Sequence, residues 1–270
     1  MTNAPAGHDI AALLDLMRRL RDPKTGCPWD IEQDFATIVP YTIEEAYEVS
    51  AAIEAKDYAS LKDELGDLLL QVVFHAQMAS EKGLFDFGEV ARGLAEKMIR
   101  RHPHVFADSK AKTAADVSEA WDEIKARERA GRPTKPGGHL GDVAHALPAL
   151  SRAVKLQDRA AEVGFDWPSA ITVTDKIVEE SKELADAAAS GAKDKMAEEF
   201  GDLLFVLANL ARHLKIDPET ALRGANAKFV RRFGAIEAAL AAQGRKLEDA
   251  SLDEMEALWQ AAKKTEVPKP

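Results

Sequence analysis

Glu180 stands three residues before Glu183, and Glu199 three before Asp202, in the stretch KIVEESKELADAAASGAKDKMAEEFGDLLFVLANLA at positions 176–211. Residues three apart on a helix share a face, so each pair makes a two-carboxylate claw. Ser190 and Gly191 between the pairs are a helix stop, after which a second helix can fold back antiparallel and bring the claws together. Four acids that close repel one another unless cations sit between them. Hard oxygen ligands of this kind suit Mg²⁺, with Mn²⁺ as the alternative ion.

The arrangement occurs twice. Glu45, Glu48, Glu64 and Asp67 repeat it at a constant offset of 135 residues. The plain alternative is a pair of solvated faces on charged helices. In the first copy that alternative takes a specific form, because Thr42 precedes Glu45 at capping-box spacing. The second copy tests it: Ile177 stands where Thr42 would be and cannot cap, yet Glu180 is present. A shared role unrelated to capping fits both copies better. Asn209 lies seven residues after Asp202 on the same stripe of an apolar run, where an amide is costly unless it has a partner.

A metal needs something to act on. Lys228 and Arg232 are four apart and face together, as do Lys97 and Arg101 in the first copy. Lysine as a point charge and arginine as a fork are the usual phosphate partners, against the alternative of a basic solvated face. The chain has no G-x-x-x-x-G-K-[ST] loop, which excludes P-loop phosphate chemistry. A helical scaffold whose acids only bind metal or a basic partner is the competing class, and it has no need of Lys228 and Arg232. A ferritin-like di-iron centre requires Glu-x-x-His, and none of the seven His residues has a Glu three before it. His102 and His104 bracket Pro103 at a ligand-like spacing, but two His make a weak site. Cys27, with no evident base nearby in sequence, reads as packing.

These residues must be positioned by helices. Ile10, Leu13, Leu14, Met17 and Leu20 form one stripe of helical period, and Leu65, Leu68, Leu69, Val72, Val73 and Ala76 form another. Strand-like alternation is nearly absent, so the expected fold class is all-α, built of duplicated helical bundles. Breaks are expected at 21–30, at 81–88 and, most heavily, at the Gly- and Pro-rich 131–142. EEAYEV at 44–49 matches EESKEL at 179–184, DELGDLLLQVVFHAQ at 63–77 matches EEFGDLLFVLANLAR at 198–212, and AEKMIRR at 95–101 matches NAKFVRR at 226–232. AWDEIK at 120–125 echoes LWQAAK at 258–263. The expected organisation is a first repeat over 1–130, a linker over 131–145 and a second repeat over 146–270, which carries most of the catalysis. Asn209 and Asn226 of the second repeat are matched by Phe74 and Ala95 in the first, and Pro103 should end the Lys97/Arg101 helix by about His102.

The totals set the class. The chain has 270 residues, 46% hydrophobic and 30% charged, with a net charge of -10. That profile is globular and disfavours loose attraction to nucleic-acid polymers or to an anionic membrane surface. A single cysteine rules out an internal disulfide. No apolar run reaches the roughly 18 residues of a membrane span, and the start MTNAPAGHDI lacks the apolar core of a signal peptide. The expected location is the cytoplasm.

The residues resemble the MazG family of nucleoside triphosphate pyrophosphohydrolases in its two-repeat bacterial form. The family pattern E-E-x-x-E, spacer, E-x-x-D is met by Glu179, Glu180, Glu183, Glu199 and Asp202, and again by Glu44, Glu45, Glu48, Glu64 and Asp67. GCPWD, RRHPHVFAD, NLARHL and NAKFVRRF extend the likeness over essentially the whole chain. The resemblance implies Mg²⁺-dependent hydrolysis of a broad range of NTPs and dNTPs to NMP and pyrophosphate by a homodimer, in nucleotide-pool cleaning or stress regulation. It implies Glu180, Glu183, Glu199 and Asp202 as metal ligands and Lys228 and Arg232 on the triphosphate, and Asn209, read from its place in the apolar run, is a further candidate to orient the substrate or water. Trp259 is either a base-stacking residue or an anchor of the last helix. Glu179 or Glu180 would accept the proton of the attacking water.

Overall fold

The computed structural model describes residues 9–107, 113–131 and 136–265; residues 132–135 of the expected linker and Asp108 of the RRHPHVFAD motif lie outside them. The described residues form twelve α-helices and two short 3₁₀ turns, with no strand. The chain divides into two compact units, Met1–Arg132 and Pro133–Pro270.

In the first unit the helices are α1 (Ile10–Leu20), α2 (Pro28–Glu32), α3 (Phe35–Ala55), α4 (Tyr58–Glu81), α5 (Phe87–Arg101), α6 (Pro103–Phe106) and α7 (Ala114–Ala130). Their starts are written in the sequence. Asp9, Asp34, Asp57 and Asp86 each accept a backbone N–H of the first turn, and Asp34 with Thr37 closes a capping box. That box puts the start of α3 at Phe35, so Thr42 lies inside the helix. Its hydroxyl donates to the Ile38 carbonyl at 3.2 Å and stands 3.1 Å from His75 Nε2. The capping explanation for Glu45 is thereby removed. α5 ends at Arg101 and α6 begins at Pro103, as proline requires.

α4 packs against α3, α1 and α5. Met17, Ile38, Val73, Phe74 and Met78 form the core between them, with Leu13, Leu14, Phe35, Leu70 and Phe87 against it. The long stripe of α4 is not buried throughout the unit: Leu65, Leu69 and Val72 are exposed.

In the second unit the helices are α8 (Ala149–Ala161), α9 (Ala170–Ser190), α10 (Lys193–His213), α11 (Pro218–Ala241) and α12 (Leu252–Thr265). Ser169 and Asp217 cap α9 and α11. Gly191 ends α9 at φ 72°, a left-handed position where a side chain would be strained, and the chain turns straight into α10. α10 lies between α9 and α8, while α11 lies against α8 and α12. No described helix is long and apolar enough to cross a membrane.

Candidate functional site

The turn at Gly191 brings the acids of α9 and α10 together. Glu180, Glu199 and Asp202 each offer a carboxylate oxygen within 4.8 Å of the others. Glu180 and Glu199 are buried at 5% and 7% exposure, Asp202 is exposed, and all three open on one face of the helix pair. Two buried carboxylates this close are costly unless cations stand among them. Lys176, one turn before Glu180, reaches it at 2.7 Å and Glu179 at 2.9 Å. Lys195 approaches Glu199 at 3.6 Å. Glu183 stands outside the trio and is exposed. Its carboxyl is pushed above the ordinary range by partial desolvation and then by the negative charges of Glu199 and Glu180, so the side chain senses the cluster without closing it.

The first unit repeats the frame with different edges. There the mutually close acids are Glu45, Glu48 and Glu64, and Asp67 is the one outside. Burial and then the charges of Asp67 and Glu48 push Glu45 up, and burial followed by Glu48 and Asp67 does the same to Glu64. The positions matching Lys176 and Lys195 are Tyr41 and Ser60. Tyr41 lies edge-on to Trp29, and the Ser60 hydroxyl donates to Asp57 at 2.9 Å.

The expected substrate residues form a second group. Arg232 on α11 lies over the ring of Trp259 on α12, 5.5 Å from its centroid, and Phe229 packs on the same ring at 5.3 Å. Trp259 is half-buried, covered by Arg232 and met by Phe229 at a tilt of 51°, and Lys228, one turn before Arg232, is exposed. Asn209 is buried at 1% exposure inside α10, and its Oδ1 has no hydrogen-bond partner. The carbonyl one turn earlier, that of Phe205, accepts from Nε2 of the buried Gln157 of α8. In the first unit Arg101 donates to Glu128 at 2.6 Å and Arg100 to the same carboxylate at 2.8 Å, while Lys97 is half-buried. These pairs pull Glu128 down to about 2, Arg101 contributing most. Lys125 sits over Trp121, which also meets the ring of His102.

His102 is structural, since its Nδ1 lies 2.7 Å from the Met98 carbonyl at the end of α5. Sequence reasoning passed over Lys176 and Lys195, although a lysine four residues before a glutamate on a helix is a readable signal. It also passed over Gln157, for which no local signal exists.

The MazG nucleotide pyrophosphohydrolase domain model matches residues 33–106 and again 169–234. The matched segments contain both carboxylate clusters. The chain belongs to the MazG family. It is 50% identical over 262 residues to the nucleoside triphosphate pyrophosphohydrolase of Escherichia coli K12, covering 96% of this chain and 99% of that one. It is 45% identical over 260 residues to the nucleoside triphosphate pyrophosphohydrolase/pyrophosphatase MazG of Thermotoga maritima, covering 96% and 97%. A solved MazG-related protein from Thermotoga maritima aligns at 27% identity and a TM-score of 0.37, covering 43% of this chain and 99% of that one. The MazG pattern E-E-x-x-E, spacer, E-x-x-D thus falls on α9 and α10, and on α3 and α4.

Proposed function

We propose that this MazG protein hydrolyses nucleoside triphosphates to the monophosphate and pyrophosphate with Mg²⁺, and that the α9–α10 cluster is the reacting end. The observation that carries the reading is the trio Glu180, Glu199 and Asp202, two of them buried, with oxygens within 4.8 Å of one another. An all-carboxylate donor set fits a hard divalent ion. Glu180, Glu199 and Asp202 would hold it, with Glu183 beside them, and the ion would neutralise phosphate charge and acidify the attacking water. Glu179 is exposed and outside the trio, and Lys176 pairs with its Oε1, which leaves its other oxygen to accept that water's proton. Lys228, together with Arg232 from its place over Trp259, supplies positive charge for the phosphates.

The relatives named above act on nucleoside triphosphates by their names, and the same substrate class is proposed here, over a broad range of bases, as in nucleotide-pool cleaning. The charged side chains of the site are acids and bases suited to phosphate and metal. A homodimer is proposed as well. Phe200, Leu204, Phe205 and Leu207 on α10 and Phe229 and Val230 on α11 are all exposed, and this much exposed apolar surface fits an interface. Sedimentation at micromolar concentration tests this, and a monomer would refute it.

The deciding assay is a panel of the common NTPs and dNTPs with Mg²⁺, scored for products. NMP and pyrophosphate are expected; NDP and orthophosphate as the main products would overturn the reading. Glu179→Gln should lower kcat while leaving the Mg²⁺ requirement unchanged.

A further inference from the structure

Lys176 pairs with a carboxylate that would hold a divalent ion. Its Nζ lies 2.7 Å from a Glu180 carboxylate whose side chain is 7% exposed, so water screens the pair little. Its other partner, Glu179, is 57% exposed, so that contact contributes little. Lys195 is the weaker of the two lysines, 3.6 Å from Glu199 on a side chain that is 61% exposed. The first cluster, with Tyr41 and Ser60 in these places, shows that the two-helix frame forms without either lysine.

We propose that Lys176 is a tethered counter-cation of the second cluster: it neutralises Glu180 in the metal-free protein and has to leave before a divalent ion can take that carboxylate. The inference rests on the metal-binding reading of the trio. A buried carboxylate stripped of its partner is strongly destabilising, and a lysine four residues away on the same helix fills that need without any ligand. Because the ammonium is covalently attached, it is present at high effective concentration. The apparent affinity for metal is then the intrinsic affinity multiplied by the fraction of molecules in which Glu180 is free. It follows that the nucleotide-free second cluster takes up a loose divalent ion less readily than its own carboxylates would permit.

The test is Mn²⁺ titration by calorimetry, without nucleotide, on the full chain carrying Glu48→Gln and Asp67→Asn so that the first cluster is silenced. Adding Lys176→Met, which keeps the stem and removes the charge, should tighten Mn²⁺ binding about tenfold, equivalent to about 1.4 kcal/mol. Lys195→Met should tighten it by about twofold or less, in line with its exposure. Lys176→Arg, which keeps a cation, should stay near the parent. In EDTA the Lys176→Met protein should melt lower than the parent, and Mn²⁺ should raise its melting temperature more than the parent's. Equal or weaker Mn²⁺ binding by Lys176→Met would overturn the competing role alone. Absence of Mn²⁺ binding in both parent and Lys176→Met would overturn the metal reading of the trio and this inference with it. Should Lys176→Met fail to fold, the reciprocal Tyr41→Lys in a chain silenced by Glu183→Gln and Asp202→Asn decides: weaker Mn²⁺ binding at the first cluster supports competition, and unchanged binding overturns it.

Discussion

The α3–α4 cluster and the α9–α10 cluster carry the same acids at the same spacing, yet their surroundings differ in kind. Among the described residues no ion pair answers Glu45 or Glu64, and both carboxyls are pushed upward, by burial first and by their neighbours second. Around Glu180 and Glu199 two lysines answer the charge. Behind the first cluster Phe74 closes a packed apolar core, whereas the matching Asn209 keeps an unpaired oxygen inside α10. At the basic end, Arg101 is tied to Glu128, while Arg232 lies on Trp259. The position matching Glu128 is Glu266, outside the described residues. The two units thus share the acidic frame and differ in the residues around it, in charge at Lys176 and Lys195 and in packing at Asn209. That is where functional divergence is cheapest, because edge residues alter a site without disturbing the helix pair beneath it.

The largest expected effect separates the two clusters directly. Glu183→Gln with Asp202→Asn should reduce turnover by about two orders of magnitude or more, while Glu48→Gln with Asp67→Asn should leave most of it, with circular dichroism showing both proteins folded. Equal halving by the two pairs would break the comparison, and the reverse pattern would assign catalysis to the first unit.

A smaller effect concerns the core behind each cluster. Phe74→Asn removes a buried ring and strands an amide among Met17, Ile38 and Met78, which should cost about 3 kcal/mol in urea unfolding. Asn209→Leu runs the other way: it removes an unpaired buried oxygen and should raise stability by about 1 kcal/mol. A fall in turnover alongside that gain would show that the amide is kept for function. Unchanged turnover would make it a remnant of packing.

The smallest effect tests the tie at Arg101. Glu128 is held down from its ordinary 4.5 to about 2, by Arg101 first and Arg100 second. A carboxyl lowered by folding contributes stability that is present above the unfolded value and lost as pH falls through the folded one. The melting difference between wild type and Glu128→Gln should therefore be full above about pH 4.5 and gone near pH 2. The pair is part-buried, with Arg101 17% and Glu128 13% exposed, and the difference should still be small because both charges give up hydration to form it. A Glu128 carboxyl that titrates at its ordinary value by NMR would remove the contrast with Arg232.

How much of this was legible beforehand depended on the range of the interaction. The helices, their aspartate starts, the stop at Gly191 and the duplication all follow from short-range rules, since caps, glycine turns and helical period involve residues within a few positions of one another. The carboxylate pairs were readable for the same reason. Thr42 shows the limit of such rules: its spacing to Glu45 imitates a capping box, and only the real start at Asp34 reveals that Thr42 lies mid-helix beside His75. Which three of the four acids draw together, which side chain closes on Trp259, and how deeply Asn209 is buried were decided by how the helices pack. Those outcomes depend on rotation and separation between elements that no local pattern encodes. A shift of a fraction of a turn in α10 against α9 would exchange Asp202 for Glu183 at the trio, while every residue and every spacing in the sequence stayed the same.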